Sequence, residues 1–211
     1  MQIAVLLFER MTALDAVGPY EVLSRLPGAE TVLVAERPGP VRNEVGSLAL
    51  LAEASLADVT APDVLVVPGG PGQAALMDRG PLRDWLRAVD ARTSWTASVC
   101  TGSLLLAAAG LLTGRRATTR WLAADRLAPL GAVPVDQRVV FDGKYVTAAG
   151  VSAGIDMALA LAGRIAGETT AQAIQLGHEY DPRPPYAAGS PATAPPAVVA
   201  ALRDRREAIL R

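Results

Sequence analysis

A single cysteine, Cys100, stands where the chain turns from a strand-like stretch to a helix-like one. Residues 94–99 are small, β-branched or aromatic. Cys100-Thr101-Gly102-Ser103 follows, and 104–110 is dominated by strong helix formers. A side chain at such a corner is held up at the carboxyl edge of a sheet. With a helix starting beneath it, unpaired N–H groups and the dipole favour a thiolate. A free cysteine more often serves as a small buried hydrophobe. The corner, the glycine two residues on and the small flanking side chains point instead to a nucleophile.

Addition chemistry at a sulfur needs N–H donors aimed at the charge that develops on the attacked group. Thr101 N–H, at the helix start, is one expected donor. Gly70 N–H is the other, in the turn Pro68-Gly69-Gly70-Pro71-Gly72 that ends the neighbouring strand. Gly150 and Val151, at a third strand end, are expected to line the same pocket. A proton partner is also required. Asp15, in Met11-Thr-Ala-Leu-Asp-Ala-Val-Gly-Pro19, reaches the same sheet edge, with Thr12 free to cap the helix and Glu21 as the rival acid. Two neighbouring anions repel, so Asp15 and Cys100 are expected to share a proton. His178 is a weaker partner, because His178 and Glu179 are adjacent and diverge on a helix. Gly150-Val-Ser-Ala-Gly154 matches a serine elbow, but no later strand remains to present an acid and a histidine, so Ser152 reads as a helix cap. Gly70-Pro71-Gly72 resembles a dinucleotide turn, yet follows the third strand and lacks an N–H at Pro71.

Composition narrows the class. The chain has 211 residues, 51% hydrophobic and only 4% aromatic, which suits one α/β domain over 1–211 with an aliphatic core. The formal net charge is −1, and Lys144 is the sole lysine, so no basic stripe for nucleic acid is expected. One cysteine makes no intrachain disulfide and suits a reducing cytoplasm. One cysteine and one histidine make a zinc site improbable, and no metal or other cofactor is expected. No run is long enough for a membrane span.

The elements that position these residues follow from periodicity. Apolar runs predict strands over 2–8, 30–35, 63–67, 94–99, 133–141 and 145–149, the last two joined at Asp142-Gly143. Helical spacing predicts helices over 12–26, 80–92, 101–110, 152–166 and 168–180. Residues 40–52 read as an extended excursion bent at Gly46. Residues 182–196 are proline-rich, an ordered strap or a loose tail, and 197–210 closes as a helix. Strands alternating with helices imply parallel βαβ units covered on both faces.

The run Ser98-Val-Cys-Thr-Gly-Ser103, continuing through Ala109-Gly-Leu-Leu-Thr-Gly-Arg-Arg-Ala-Thr-Thr119 to Trp121, resembles the PfpI/ThiJ superfamily, related to class I glutamine amidotransferases. Within it the chain is most similar to the group that hydrates isonitriles. Leu14-Asp-Ala-Val-Gly-Pro19, Val67-Pro-Gly-Gly70, Gly154-Ile-Asp156, Glu179-Tyr-Asp-Pro182 and Ala188-Gly-Ser-Pro-Ala-Thr-Ala-Pro195 carry the likeness over the whole chain. The resemblance implies a flavodoxin-like three-layer sandwich, a cytoplasmic homodimer and no cofactor. The implied substrate is a small isonitrile, hydrated to an N-substituted formamide. Carried onto this sequence, Cys100 is the nucleophile, Asp15 the acid–base partner, and Thr101 a pocket residue supplying an N–H and a hydroxyl. Thr101 stands where peptidase-like members carry histidine, and Arg120 where relatives commonly carry histidine before the tryptophan. Competing readings are a redox-sensing or deglycase/glyoxalase-like protein, and a ligand-sensing domain of the kind fused to helix-turn-helix segments in AraC-type regulators.

Overall fold

A computed structural model describes residues 1–78 and 80–210. In chain order the elements are β1 (Gln2–Leu6), α1 (Ala13–Leu23), β2 (Glu30–Ala35), β3 (Gly39–Arg42), β4 (Ala49–Ala52), β5 (Ala54–Ser55) and β6 (Val64–Val67). Then come α2 (Pro81–Asp90), β7 (Trp95–Val99), α3 (Gly102–Ala108), β8 (Arg116–Ala117), β9 (Val133–Pro134), β10 (Val139–Asp142) and β11 (Tyr145–Ala148). Helices α4 (Ala153–Ala166), α5 (Glu168–Gly177), α6 (Pro196–Asp204) and α7 (Arg206–Leu210) complete the chain.

The central sheet runs β10-β11-β7-β6-β1-β2-β5, with every pair parallel except β10–β11. Ile3-Ala4-Val5-Leu6 and Val64-Leu65-Val66-Val67 are buried residue after residue. Strands with no exposed face must have cover on both sides, which makes the molecule the α/β sandwich its alternating elements imply. Helix α1 packs on α4 and α4 on α5, while α2 packs on α3. Helix α2 shows why it forms: Leu82, Trp85, Leu86 and Val89 repeat at helical spacing and are all buried. At the far end of the sheet, buried Asp90 accepts from Thr96 Oγ1 (2.7 Å) and Tyr145 Oη (2.9 Å) and pairs with Lys144 (3.2 Å), so its charge is fully partnered.

Strand order reverses between β1 and β6, because the chain leaves β1 towards β2 and later returns to β6 on the other side. Sites in open parallel sheets form at such a reversal. Register places the ends of β6, β7 and β11 level (Val67 opposite Ser98, Ala148 opposite Val99), so their loops emerge together. Thr12 N–H donates to Gly69 O (2.9 Å), tying the loop after β1 to the turn after β6.

Several boundaries differ from expectation. The 40–52 excursion is a separate hairpin of β3 and β4, turned at Gly46 (φ +82°). The strand expected over 133–141 is two strands: β9 pairs with β8 in its own small sheet, and β10 joins the main sheet. Pro134 has no N–H to extend a central ladder. Helix α1 stops at Leu23, and 24–26 tightens into i→i+3 bonds, so Pro27-Gly28 does not terminate it. The closing helix breaks at Arg205 into α6 and α7. Residues 182–195 carry no helix or strand, and Pro196 opens α6. Helix α7 returns to the body through buried Leu210 and the Arg126–Glu207 pair (3.0 Å).

Backbone packs closely under the corner. A Cβ on Gly102 would sit 2.2 Å from Val67 O and 2.7 Å from Pro68 O, both backbone atoms. A Cβ on Gly177 would meet nothing within 4 Å. Gly102→Ala is therefore expected to lower stability by about 3 kcal/mol, through forced separation of β6 and α3. Gly177→Ala is expected to shift it by less than about 0.5 kcal/mol. Urea denaturation midpoints compare the two.

Candidate active site

Cys100 adopts φ +57°, a left-handed conformation that costs a non-glycine residue about 1–2 kcal/mol. Four hydrogen bonds hold it there. Its N–H donates to Ala148 O (3.1 Å) and Ala149 O (2.8 Å). Its carbonyl accepts from Thr119 Oγ1 (2.9 Å) and Ser103 Oγ (3.2 Å). The sequence favours the reversal because small side chains surround it. A Cβ on Gly69 would lie 2.5 Å from Thr101 N and 2.9 Å from Cys100 Cβ.

Asp15 is fully buried, in the first turn of α1. Its Oδ2 accepts the Gly69 N–H at 3.0 Å, which fixes the carboxyl over the turn after β6. Its Oδ1 is buried and makes no hydrogen bond of ordinary geometry, while the Cys100 thiol beside the carboxyl exerts a hydrogen-bonding pull on it. Burial pushes the Asp15 pKa up to about 7, and the Glu44 charge adds to that rise. The Gly69 N–H, the Cys100 thiol and the Arg120 charge pull it the other way. Burial, then the Asp15 charge, push the Cys100 thiol up to about 12 against the opposing pull of Arg120 and of the Thr101 and Val151 N–H groups.

The resting thiolate expected from a helix start is therefore corrected. The sulfur has no exposed surface, and α3 spans only seven residues, so desolvation outweighs the helix terminus. The resting pair is a neutral thiol next to a carboxyl that ionises near neutrality.

The expected Gly70 donor is also corrected. Gly70 N–H is taken by Thr101 Oγ1 (3.0 Å), so it is not free to meet a developing anion. The N–H groups at the sulfur belong to Thr101 and Val151. Gly150 and Val151 do line a cavity of about 850 Å³ beside the corner, together with Thr119 and Arg120. The sulfur lies behind that wall.

The remaining assignments separate cleanly. Thr12 occupies the N-cap position of α1 but makes no cap bond, donating instead to the Glu44 carboxylate. Glu21 pairs with Arg25 (2.8 Å) and lies 3.9 Å from His178 Nε2. His178 ends α5, with Nδ1 against Ile174 O (2.7 Å), so neither residue joins Cys100. Ser152 precedes α4 without capping it, and its hydroxyl accepts from Arg138 (3.2 Å). Two contributors, Glu44 and Thr119, escaped sequence reasoning. Glu44 reaches Asp15 only because Arg10 N–H donates to Arg42 O (2.8 Å) and Glu44 N–H to Met11 O (3.0 Å), long-range pairings with no local signature. Thr119 meets Cys100 from a loop whose approach periodicity does not encode.

The chain is similar to known proteins over nearly its whole length. The chain is 47% identical over 205 residues to a Pseudomonas putida protein named isonitrile hydratase, covering 97% of this chain and 90% of that one. A crystal structure of a ThiJ/PfpI family protein from Pseudomonas syringae superposes with a TM-score of 0.95 at 39% identity, covering 99% of this chain and 87% of the other. Drosophila melanogaster DJ-1beta gives a TM-score of 0.77 at 25% identity over 84% of this chain and 97% of its own. The family model described as DJ-1/PfpI matches residues 1–164, which span the sheet, Asp15, Cys100 and Val151. The chain belongs to the DJ-1/PfpI family.

Proposed function

We propose that this chain is an isonitrile hydratase, converting R–N≡C and water to R–NH–CHO. The observation that carries the reading is the buried pairing of the lone thiol with a single carboxyl whose pKa, about 7, is poised for proton transfer. The likeness to the Pseudomonas putida isonitrile hydratase supports it.

In the proposed mechanism, ionised Asp15 takes the Cys100 proton as the sulfur attacks the terminal carbon. Asp15 then gives that proton to the same carbon, whose lone pair it binds. The product is the neutral thioimidate R–N=CH–S–Cys100, with Asp15 returned to its carboxylate form. Water adds to the thioimidate carbon, with one of its protons passing to nitrogen. The C–S bond then breaks, the hydroxyl proton returns to sulfur, and the formamide leaves. Thr101 and Val151 N–H groups steady the sulfur while it carries charge. The cavity beside them holds R. Access to the sulfur requires the wall at Thr119 and Val151 to part, because the thiol has no exposed surface.

A redox-sensing role is less favoured, since oxidation follows thiolate character and exposure, and this thiol has neither. We place the enzyme in the cytoplasm, where a reducing milieu keeps the thiol available, and assign it a homodimer. Leu14 on α1 and Val45, Leu48 and Leu51 around the β3–β4 hairpin are exposed apolar side chains that a second copy would cover. Sedimentation of the full chain is expected to give a dimer that Val45→Glu with Leu51→Glu converts to monomer.

Incubation with an aliphatic isonitrile is expected to yield formamide. Cys100→Ala should abolish it, and Asp15→Asn should slow it by about 10²–10⁴-fold, the usual contribution of a positioned acid–base group. Glyoxal turnover without formamide would contradict the assignment.

The pH dependence follows from the same carboxyl. Ionised Asp15 is the acting base, so kcat/KM should rise with pH and level off above about 7. Stability should move oppositely. The folded carboxyl keeps its proton up to about 7, whereas the unfolded one loses it near 3.8, so stability is greatest below about 4 and falls as pH rises through about 7. The full difference is about 4 kcal/mol. Asp15→Asn, which keeps an acceptor for Gly69 N–H, should remove this slope and be more stable than the natural protein at pH 8. Denaturant titrations at pH 5 and pH 8 measure it.

A further inference from the structure

Arg120 is placed at the site by anchored neighbours. Thr119 is fixed to the Cys100 carbonyl, and Thr118 N–H donates to Thr147 Oγ1 (2.9 Å). Ala123 N–H donates to Arg120 O (2.8 Å) at the start of the turn that follows. The side chain is partly buried and lines the cavity beside Val151. Its guanidinium makes no hydrogen bond or ion pair among the described residues. The other arginines of that cavity are engaged. Arg138 bonds to Asp156 and Ser152, and Arg203 lies over the Trp121 ring at 5.9 Å. Asp136 is the acid on the cavity wall and is not paired with Arg120. Arg120 shares the cavity wall with Thr119 and Val151, which both touch Cys100, and its charge acts on both Cys100 and Asp15.

A guanidinium carries five N–H donors in a flat fork that matches a carboxylate. We propose that Arg120 is a specificity residue that receives a carboxylate on the substrate, so that the preferred isonitriles are short isocyano carboxylates. The inference rests on the hydration reading and names its substrate class. The isonitrile is a straight rod, so its carbon faces the sulfur while R projects away into the cavity. A carboxylate one or two carbons from nitrogen then lies in the cavity that Arg120 lines. The same cation holds that anion beside the ionising Asp15, where an unpaired second anion would be repelled.

The test compares isocyanoacetate with its methyl ester, using the full-length chain, Arg120→Met and Arg120→Lys. The natural protein should favour isocyanoacetate in kcat/KM by about tenfold or more, the range of one charge-assisted contact. Arg120→Met should bring the ratio near one, with Arg120→Lys in between, because an ammonium keeps the charge but not the fork. Equal rates on both substrates in the natural protein, or a preference that survives in Arg120→Met, would overturn the assignment. Calorimetric binding of N-formylglycine, the product of isocyanoacetate hydration, gives a readout independent of turnover. If no isonitrile is hydrated, the proposed reaction fails. N-formylglycine binding that Arg120→Met abolishes would still uphold the carboxylate site, and no binding to the natural protein would end it.

Discussion

Burying a carboxyl against a thiol is costly, and the corner is arranged around that cost. Each group alone would ionise less readily out of water, and the Asp15 charge raises the thiol further, because two anions in a poorly polarisable interior repel, while the thiol's hydrogen bond draws the carboxyl back down. The structure offsets this with directed dipoles: Gly69 N–H on Asp15 Oδ2, and Thr101 and Val151 N–H on the sulfur. None of these is strong enough to create a resting thiolate. Together they leave one proton on the sulfur beside a carboxylate able to receive it as the sulfur attacks.

That proximity depends on backbone approach more than on side-chain packing. Cys100 is held in an unfavourable conformation so that its side chain turns towards α1. The turn after β6 must pass between them with almost no room. A Cβ on Gly70 would fall 2.4 Å from Thr12 N, and one on Gly69 would strike Thr101. The glycines therefore act as spacers that let Asp15 reach across the end of β6. Gly69 and Gly70 hold equivalent-looking places in the sequence, but only Gly69 offers its N–H to the reacting pair. Gly70 spends its own on the Thr101 hydroxyl, which locks the first residue after the nucleophile.

Local patterns made the central strands readable, because buried parallel strands are uninterrupted apolar runs and helices such as α2 carry their buried stripe openly. The carboxyl ends of those strands then located Cys100, Asp15 and the Gly150–Val151 turn at one edge. Patterns failed where partners came from afar. The β3–β4 hairpin looked like a featureless excursion because half its side chains face solvent, yet it delivers Glu44 to the back of Asp15. The stretch over 133–141 looked like one strand because apolar periodicity cannot show that Val133 and Val139 pair in different sheets. The expected thiolate failed for an energetic reason: helix starts are visible in sequence, but desolvation is a property of the packed interior.

The choice of a carboxyl over a histidine bears directly on which electrophile suits this corner. A histidine beside a cysteine favours a thiolate–imidazolium pair, in which the sulfur is ready and the proton waits for a leaving group. An acyl substrate needs that order of events. An isonitrile has no leaving group at the attacked carbon; that one atom must accept the sulfur and a proton. A neutral thiol next to a half-ionised carboxyl holds the two together, so attack and protonation can follow each other without a charged intermediate stranded in a dry site. The placement of Thr101 after the nucleophile fits the same logic, since it contributes an N–H and a hydroxyl and no competing base. On the proposed reading, the reaction is set less by the sulfur than by the acid that α1 carries to it.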